Sequence, residues 1–334
     1  MAFKAVGLTS HIYSNNFRSA ILIAGFPLLL FSMILAFCIG MYGFGLVTPQ
    51  PVPFGRAVEQ GWSVALRHGH WAFIAAALWF TIAYFSHTKL IRKMTHAHEV
   101  TASEEPALYN MLENLCISRG LPMPYFQIIE NDALNAFASG INQKTYSITV
   151  TRGLLNTLEK DELEGVLAHE LTHIINKDVR LLIISIVFVG MISFFAEMAF
   201  RSMIYGPRRR SSNSDNKNGA ALMILAFAIL IIGYAFAMLI RFALSRKREY
   251  LADAGAIELT KNPEAMMRAL MRISGHDTIK DLPEDVELMC IENTSGFMGM
   301  FATHPPIAKR IEAISVVSGA AIPVLEAKAD NPWA

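Results

Sequence analysis

Charge is what this sequence has least of. Asp, Glu, Lys and Arg supply 17% of its 334 residues, and hydrophobic residues supply 53%. A soluble domain carries about a quarter charged. A deficit of that size, with a mean hydropathy of +0.36, argues against a wholly soluble chain and for membrane spans. An excess of one charge sign is missing too. The net charge is +1, so the overall balance gives no reason to expect a nucleic-acid partner. Cysteine is scarce: Cys38, Cys116 and Cys290 are the three. An odd count without a CxxC pair excludes a disulfide framework. It leaves reduced, buried thiols in a protein that faces the cytosol.

What the chain does have is four apolar runs: Ser19 to Val47, Trp71 to Ser86, Val179 to about Ala199, and Ala220 to about Ile240. The first is longer than a signal-peptide core of about 7–15 residues and reads as an uncleaved span. The second lies near the lower spanning limit of about 17 residues. A polar stretch with Arg208, Arg209 and Arg210 joins the last two. If all four cross, the N-terminus and both polar regions share one side. That side carries Lys4, Arg18, Lys89, Arg92, Lys93, Lys177, Arg180 and Arg246 to Arg248 beside the spans, against Arg56, Arg67, Arg201, Arg208 to Arg210 and Lys217 on the other. The positive-inside rule therefore makes it cytoplasmic, in a multi-pass protein of the inner membrane. The expected organisation is a first hairpin over 1–88, a first catalytic part over 89–178, a second hairpin over 179–244 and a second catalytic part over 245–334.

The first polar region predicts a helix from Glu104 to Arg119, with Pro106 in its first turn and Gly120 ending it. Tyr125 to Glu130 and Tyr146 to Thr151 alternate like strands. Asp161 to Asn176 is strongly helical, with an apolar stripe of Leu163, Val166, Leu167, Leu171 and Ile174. Strands first and helices after make an α+β domain. Glu197, inside the third run, reads either as a proton or substrate contact within the membrane or, four residues before Arg201, as an interfacial ion pair. Arg241 reads as a residue whose head group reaches the interface.

Residues 169–173 are His-Glu-Leu-Thr-His. On a helix, positions i and i+4 share a face, so both imidazoles reach one metal ion, and the Glu between them can touch the ion's water. Zinc lowers the pKa of that water to about 7, and a carboxylate can then take its proton. By chance such a pentapeptide would arise in a chain of this composition with a probability of roughly two in a hundred. A catalytic zinc also needs a third protein ligand. Glu249 and Asp253 stand one helical turn apart. Glu249 can complete a His₂Glu set, or sit as a surface carboxylate among Arg246, Lys247 and Arg248. Asp253 can accept from the distal nitrogen of a ligand histidine. The third run begins about six residues after His173, or about 9 Å at helical rise, and the fourth ends shortly before Glu249. Both segments thus leave the bilayer at one mouth of a hairpin. His96-Ala97-His98-Glu99 also pairs two histidines, but i and i+2 share no helical face, and it reads as a solvated juxtamembrane segment.

With those motifs go Asn135-Ala136-Phe137-Ala138 with Gly140, Arg248-Glu249-Tyr250-Leu251-Ala252-Asp253, and Thr303-His304-Pro305-Pro306. Together they resemble the membrane zinc peptidases that include the heat-shock protease HtpX and, more distantly, the prenyl-protein (CAAX) endopeptidases. The resemblance implies a zincin-like metallopeptidase domain combined with four transmembrane helices. It implies one Zn²⁺ on His169, His173 and Glu249, with Glu170 as general base. It implies that Asn135, Ala136 and Phe137 hold the substrate as an added strand, and that His304 donates to the oxyanion. The expected activity is cleavage of unfolded or membrane-anchored polypeptides at the cytoplasmic face, in membrane-protein quality control under stress. The rivals are a CAAX endopeptidase, which should have more than four spans, and a silent zinc-binding scaffold or sensor, which should lack Glu170. An ion transporter would need paired charges in several spans.

Overall fold

The computed structural model describes residues 8–43, 45, 47–187, 190, 231, 233, 247–274, 276, 290–291 and 305–325. Glu197, Arg201, the arginines at 208–210, Arg241, His304, most of the third apolar run and nearly all of the fourth lie outside the described residues. The chain divides into two compact units. One comprises Met1–Arg18, Ser86–Ile183 and Leu244–Ala334; the other comprises Ser19–Phe85 and Ile184–Ala243.

The apolar runs at the start of the chain become long helices. Helix α1 spans Leu8–Gly43 and α3 spans His70–Thr95. Within them Tyr13–Gly43 and Phe73–Thr95 are long and apolar enough to cross a membrane. A core helix would bury its large side chains, yet Leu28, Leu78, Ile82 and Phe85 are each more than half exposed. Apolar surface of that kind suits contact with lipid. In the second unit a small core joins Leu30, Ala76 and Ile184, with Trp79 and Phe80 packed on it.

The segment between the first two runs, which carried no sequence expectation, folds as α2, Phe54–His68. Its buried side is the row Ala57, Gly61 and Ala65, at helical spacing. A Cβ on Gly61 would come within 2.8 Å of the Ile39 backbone. Only a glycine lets α2 lie so close to α1.

Among the described residues, the other unit holds a four-stranded sheet in the order β1-β2-β4-β3. The strands are His98–Glu99, Tyr125–Ile129, Ser147–Thr151 and Ala136–Ser139 for β1, β2, β4 and β3. The two strands expected from alternation, β2 and β4, lie side by side and parallel, with Phe126 opposite Ile148. β4 is buried at all five residues rather than alternately, because it is an inner strand of the sheet. β3 runs antiparallel to it at the sheet edge, with Ala136 opposite Val150. β1 is exposed, and its His98 faces Glu130 at 3.7 Å. The His96–Glu99 segment assembles no metal group among the described residues.

Around the sheet stand α4 (Pro106–Ser118), α5 (Arg152–Thr157) and α6 (Lys160–Ile175). After a further helical stretch over 178–187 come α7 (Lys247–Thr260), α8 (Pro263–Ile273) and α9 (Ile307–Ser318). α4 starts on its proline and stops at Arg119, followed by Gly120 with φ +61°. α6 begins in a reciprocal capping box between Glu159 and Glu162, which satisfies two of the orphan N–H groups of a helix start. Glu162 is fully buried and takes Arg268 and Arg272 of α8. The expected stripe of α6 is buried at every position, but so are Gly165, Ala168, His169, Glu170 and Thr172. α6 is the central helix of its unit, not a surface helix with one dry face.

Candidate active site

α6 presents His169, Glu170 and His173, and α7 presents Glu249 and Asp253. The two helices can approach because Gly255 of α7 meets Thr172 of α6: a Cβ there would overlap the threonine methyl. The imidazole Nε2 atoms are 3.2 Å apart. Glu249 Oε2 lies 3.6 Å from that of His169 and 3.7 Å from that of His173. The last two separations are too long for hydrogen bonds. All three match the edge of a tetrahedron, about 3.4 Å for ligands about 2.1 Å from a zinc ion. Two imidazoles and a carboxylate are also the donor set of a catalytic zinc. The residues therefore fit the metal that the sequence implies.

Each histidine is held from behind. His169 Nδ1 lies 2.9 Å from Asp253 Oδ1, and His173 Nδ1 lies 3.0 Å from Asp178 Oδ2. A carboxylate on Nδ1 fixes the proton there and leaves the Nε2 lone pair facing inward. Asp178 is in turn held by Asn15 of α1, whose Nδ2 donates to its Oδ1 at 2.7 Å and to the Asn176 carbonyl at 3.0 Å. Lys177 adopts φ +62°, which turns the chain at the end of α6 so that Asp178 reaches back. Asp253 accepts twice from Arg310 of α9, from Nε at 3.0 Å and from Nη2 at 2.6 Å. Arg310 is fully buried.

The electrostatics follow from that crowding. Burial pushes Glu170 above the ordinary carboxylate range; His169 and His173 pull the other way and Glu249 reinforces it. A raised carboxyl suits a base that works near neutral pH. Burial alone would lower His173, but the carboxylates of Glu249 and Asp178 outweigh it and push it up to about 10; a metal ion bound at Nε2 would take the place of that proton. Burial would raise Asp253, and Arg310 with His169 more than offsets it, so its carboxyl is held low. Glu170, His173 and Glu249 line one pocket, together with Leu182, Cys290 and Ile291.

The structure thus brings His169, His173, Glu170, Glu249 and Asp253 into one cluster. It sets Asn135, Ala136 and Phe137, all buried, at the start of β3. Asn135 Oδ1 and the Ala136 carbonyl both accept from the backbone N–H of Ile291, at 3.1 and 3.0 Å. The sequence reading missed Asn15, Asp178, Ile291 and Arg310. Arg310 had a signal: it falls on the apolar face Ile307, Ile311 and Ile314 of α9, where an unpaired arginine would be costly. Asp178 had one as well, five residues after His173 beyond a helix end. Asn15 and Ile291 had none.

The arrangement is that of a metallohydrolase: three converging ligands, a buried carboxylic acid beside them and a cavity in front. Comparison with known proteins agrees. Residues 102–317 match peptidase family M48. A protease HtpX homolog of Bacteroides fragilis (strain YCH46) is 44% identical over 323 residues, covering 92% of this chain and 97% of that protein. A protease HtpX homolog of Listeria monocytogenes (strain EGD-e) is 39% identical over 256 residues, covering 73% and 84%. The crystal structure of S. mikatae Ste24p aligns with 72% of this chain and 57% of its own, at 18% identity and a TM-score of 0.45, a likeness too weak to argue from. The chain belongs to peptidase family M48. It is a membrane metalloprotease of the HtpX type with a zincin-like, mixed α/β fold.

Proposed function

We propose that this chain holds one zinc ion on His169, His173 and Glu249 and cleaves unfolded or membrane-anchored polypeptides at the cytoplasmic face of the inner membrane. The observation that carries the reading is the near-equilateral triangle of Nε2, Nε2 and Oε2, with edges of 3.2 to 3.7 Å. Two of its corners, His173 and Glu249, line the pocket that Glu170 also lines. Bound there, zinc supplies an acidified water and a Lewis acid for the scissile carbonyl.

The residues do the rest. Glu170 accepts the proton of the attacking water and passes it to the departing amine, for which its raised pKa is suited. Asp253 and Asp178 keep both imidazoles in the tautomer that points Nε2 inward. The β3 edge at Asn135 and Ala136 takes the substrate backbone as an extended strand, and Phe137 anchors that strand in the core. His304 serves as oxyanion donor. In support, Pro305, the next residue, is buried, and the chain then enters α9, which carries Arg310 to Asp253. The membrane topology is four spans, supported by the two spanning helices and by the basic residues flanking them.

The test is Glu170→Gln in detergent-purified protein, scored on casein and on an unfolded membrane protein. Zinc content should stay at one per chain, while cleavage falls by about 10²–10⁴-fold. Chelation should abolish cleavage in the parent, and zinc should restore it. Undiminished proteolysis by the Gln variant refutes the role of Glu170, and chelator-resistant cleavage refutes the metal.

A further inference from the structure

The polar groups expected to receive a substrate strand are engaged by the chain itself. Asn135 Oδ1 and the Ala136 carbonyl share the N–H of Ile291, and the Ile291 carbonyl accepts from Arg310 Nη1 at 3.0 Å. Both polar groups of one residue are therefore fastened, its N–H to the edge of β3 and its C=O to the guanidinium that also braces Asp253. Cys290 and Ile291 are each 2% exposed, and both line the cavity of Glu170, His173 and Glu249. This is how an added strand would be held at a sheet edge, by main-chain groups.

Neighbouring strands lie about 4.8 Å apart, so one edge admits one strand. A substrate paired with Ala136 and the peptide at Ile291 exclude each other. We infer that Cys290–Ile291 is an internal occupant of the substrate groove, that substrate enters by displacing it, and that Arg310 then binds a substrate carbonyl as it now binds that of Ile291. The inference rests on the assignment of the β3 edge to substrate binding. A device of this kind keeps a membrane protease closed to polypeptides that cannot compete for the edge. Apparent affinity is reduced by the fraction of molecules in which the groove is free.

Two measurements on the full-length protein test it. Cys290 is a built-in reporter. In the Glu170→Gln variant, its alkylation is followed by mass spectrometry of the Cys290 peptide, with buried Cys116 as the internal control. Addition of a saturating unfolded substrate should raise the Cys290 rate at least about tenfold and leave Cys116 unchanged; an unchanged or slower Cys290 rate overturns the inference. Ile291→Pro removes the N–H that β3 accepts. If one net hydrogen bond is lost from the closed form, kcat/KM for a peptide should rise about fivefold. A variant that keeps its zinc with kcat/KM unchanged or lowered also overturns the inference; should it fail to fold, the labelling result decides alone. The edge assignment is tested separately by N-methylating a substrate peptide one position at a time. If no position matters, that assignment has failed; if one position abolishes cleavage while Cys290 stays protected, only the internal occupant has failed.

Discussion

Replacing Asp253 by Asn probes the support of the site without changing its shape. The carboxylate faces His169 Nδ1 at 2.9 Å and takes two bonds from Arg310, and all three residues are at most 2% exposed. Removing one partner of a buried pair costs about 3–5 kcal/mol. Glu249 Oε2 lies 4.0 Å from Arg310 Nη1 and retains part of the compensating charge, so the lower end is expected, about 3 kcal/mol. For a chain of 334 residues, whose unfolding entropy scales with length, that is a fall in Tm of about 4 °C. Weakened orientation of His169 should add a ten- to hundredfold loss of zinc affinity. Because Arg310 and His169 hold the Asp253 carboxyl low, its contribution is full above its unfolded pKa near 3.9 and is lost only as pH falls through the lower folded value. A measurement at pH 7 therefore sits on the plateau. The assay is thermal unfolding in detergent at a fixed scan rate, in zinc buffer and in chelator, with competitive zinc titration. Arg310→Met is made alone and together with Asp253→Asn. The double variant should lose less than the sum of the singles, since it leaves no charge unpaired. Strict additivity, or a single variant with unchanged Tm and zinc affinity, refutes the reasoning.

Three further outcomes follow from particular contacts. Gly255→Ala should push α7 off α6 at Thr172, lower zinc affinity, and be partly rescued by Thr172→Ala; equal zinc affinity by competitive titration would contradict the close-approach argument. Asn15→Ala, which deprives Asp178 of its 2.7 Å donor, should weaken zinc binding about tenfold with KM for peptides unchanged. Asn15→Gln, longer by one methylene, should not restore it, and zinc binding at the parental level in Asn15→Ala would remove the asparagine from the site. Cys116 is pushed up to about 11, from 9.0, by burial, with Glu113 adding to it. At pH 8 it should alkylate about a hundredfold more slowly than an ordinary thiol. The stability from keeping it neutral is full below pH 9 and is lost as pH rises through about 11. Rapid labelling at pH 8 in the folded protein would contradict its burial.

Local pattern sufficed wherever the governing physics was local. Helical spacing put His169 and His173 on one face, a turn of helix put Asp253 one step from Glu249, and alternation marked β2 and β4. The long apolar runs marked α1 and α3, because only their own composition decides whether they can face lipid. What sequence spacing cannot express is contact between segments far apart in the chain. Asn15 reaches Asp178 across 163 residues, Ile291 reaches Asn135 across 156, and Arg310 reaches His169 across 141. The complete burial of α6, the parallel pairing of β2 with β4, and the occupation of the β3 edge were likewise decided by tertiary packing. A single strand or helix carries the chemistry of its side chains, but its neighbours determine which of its groups stay available.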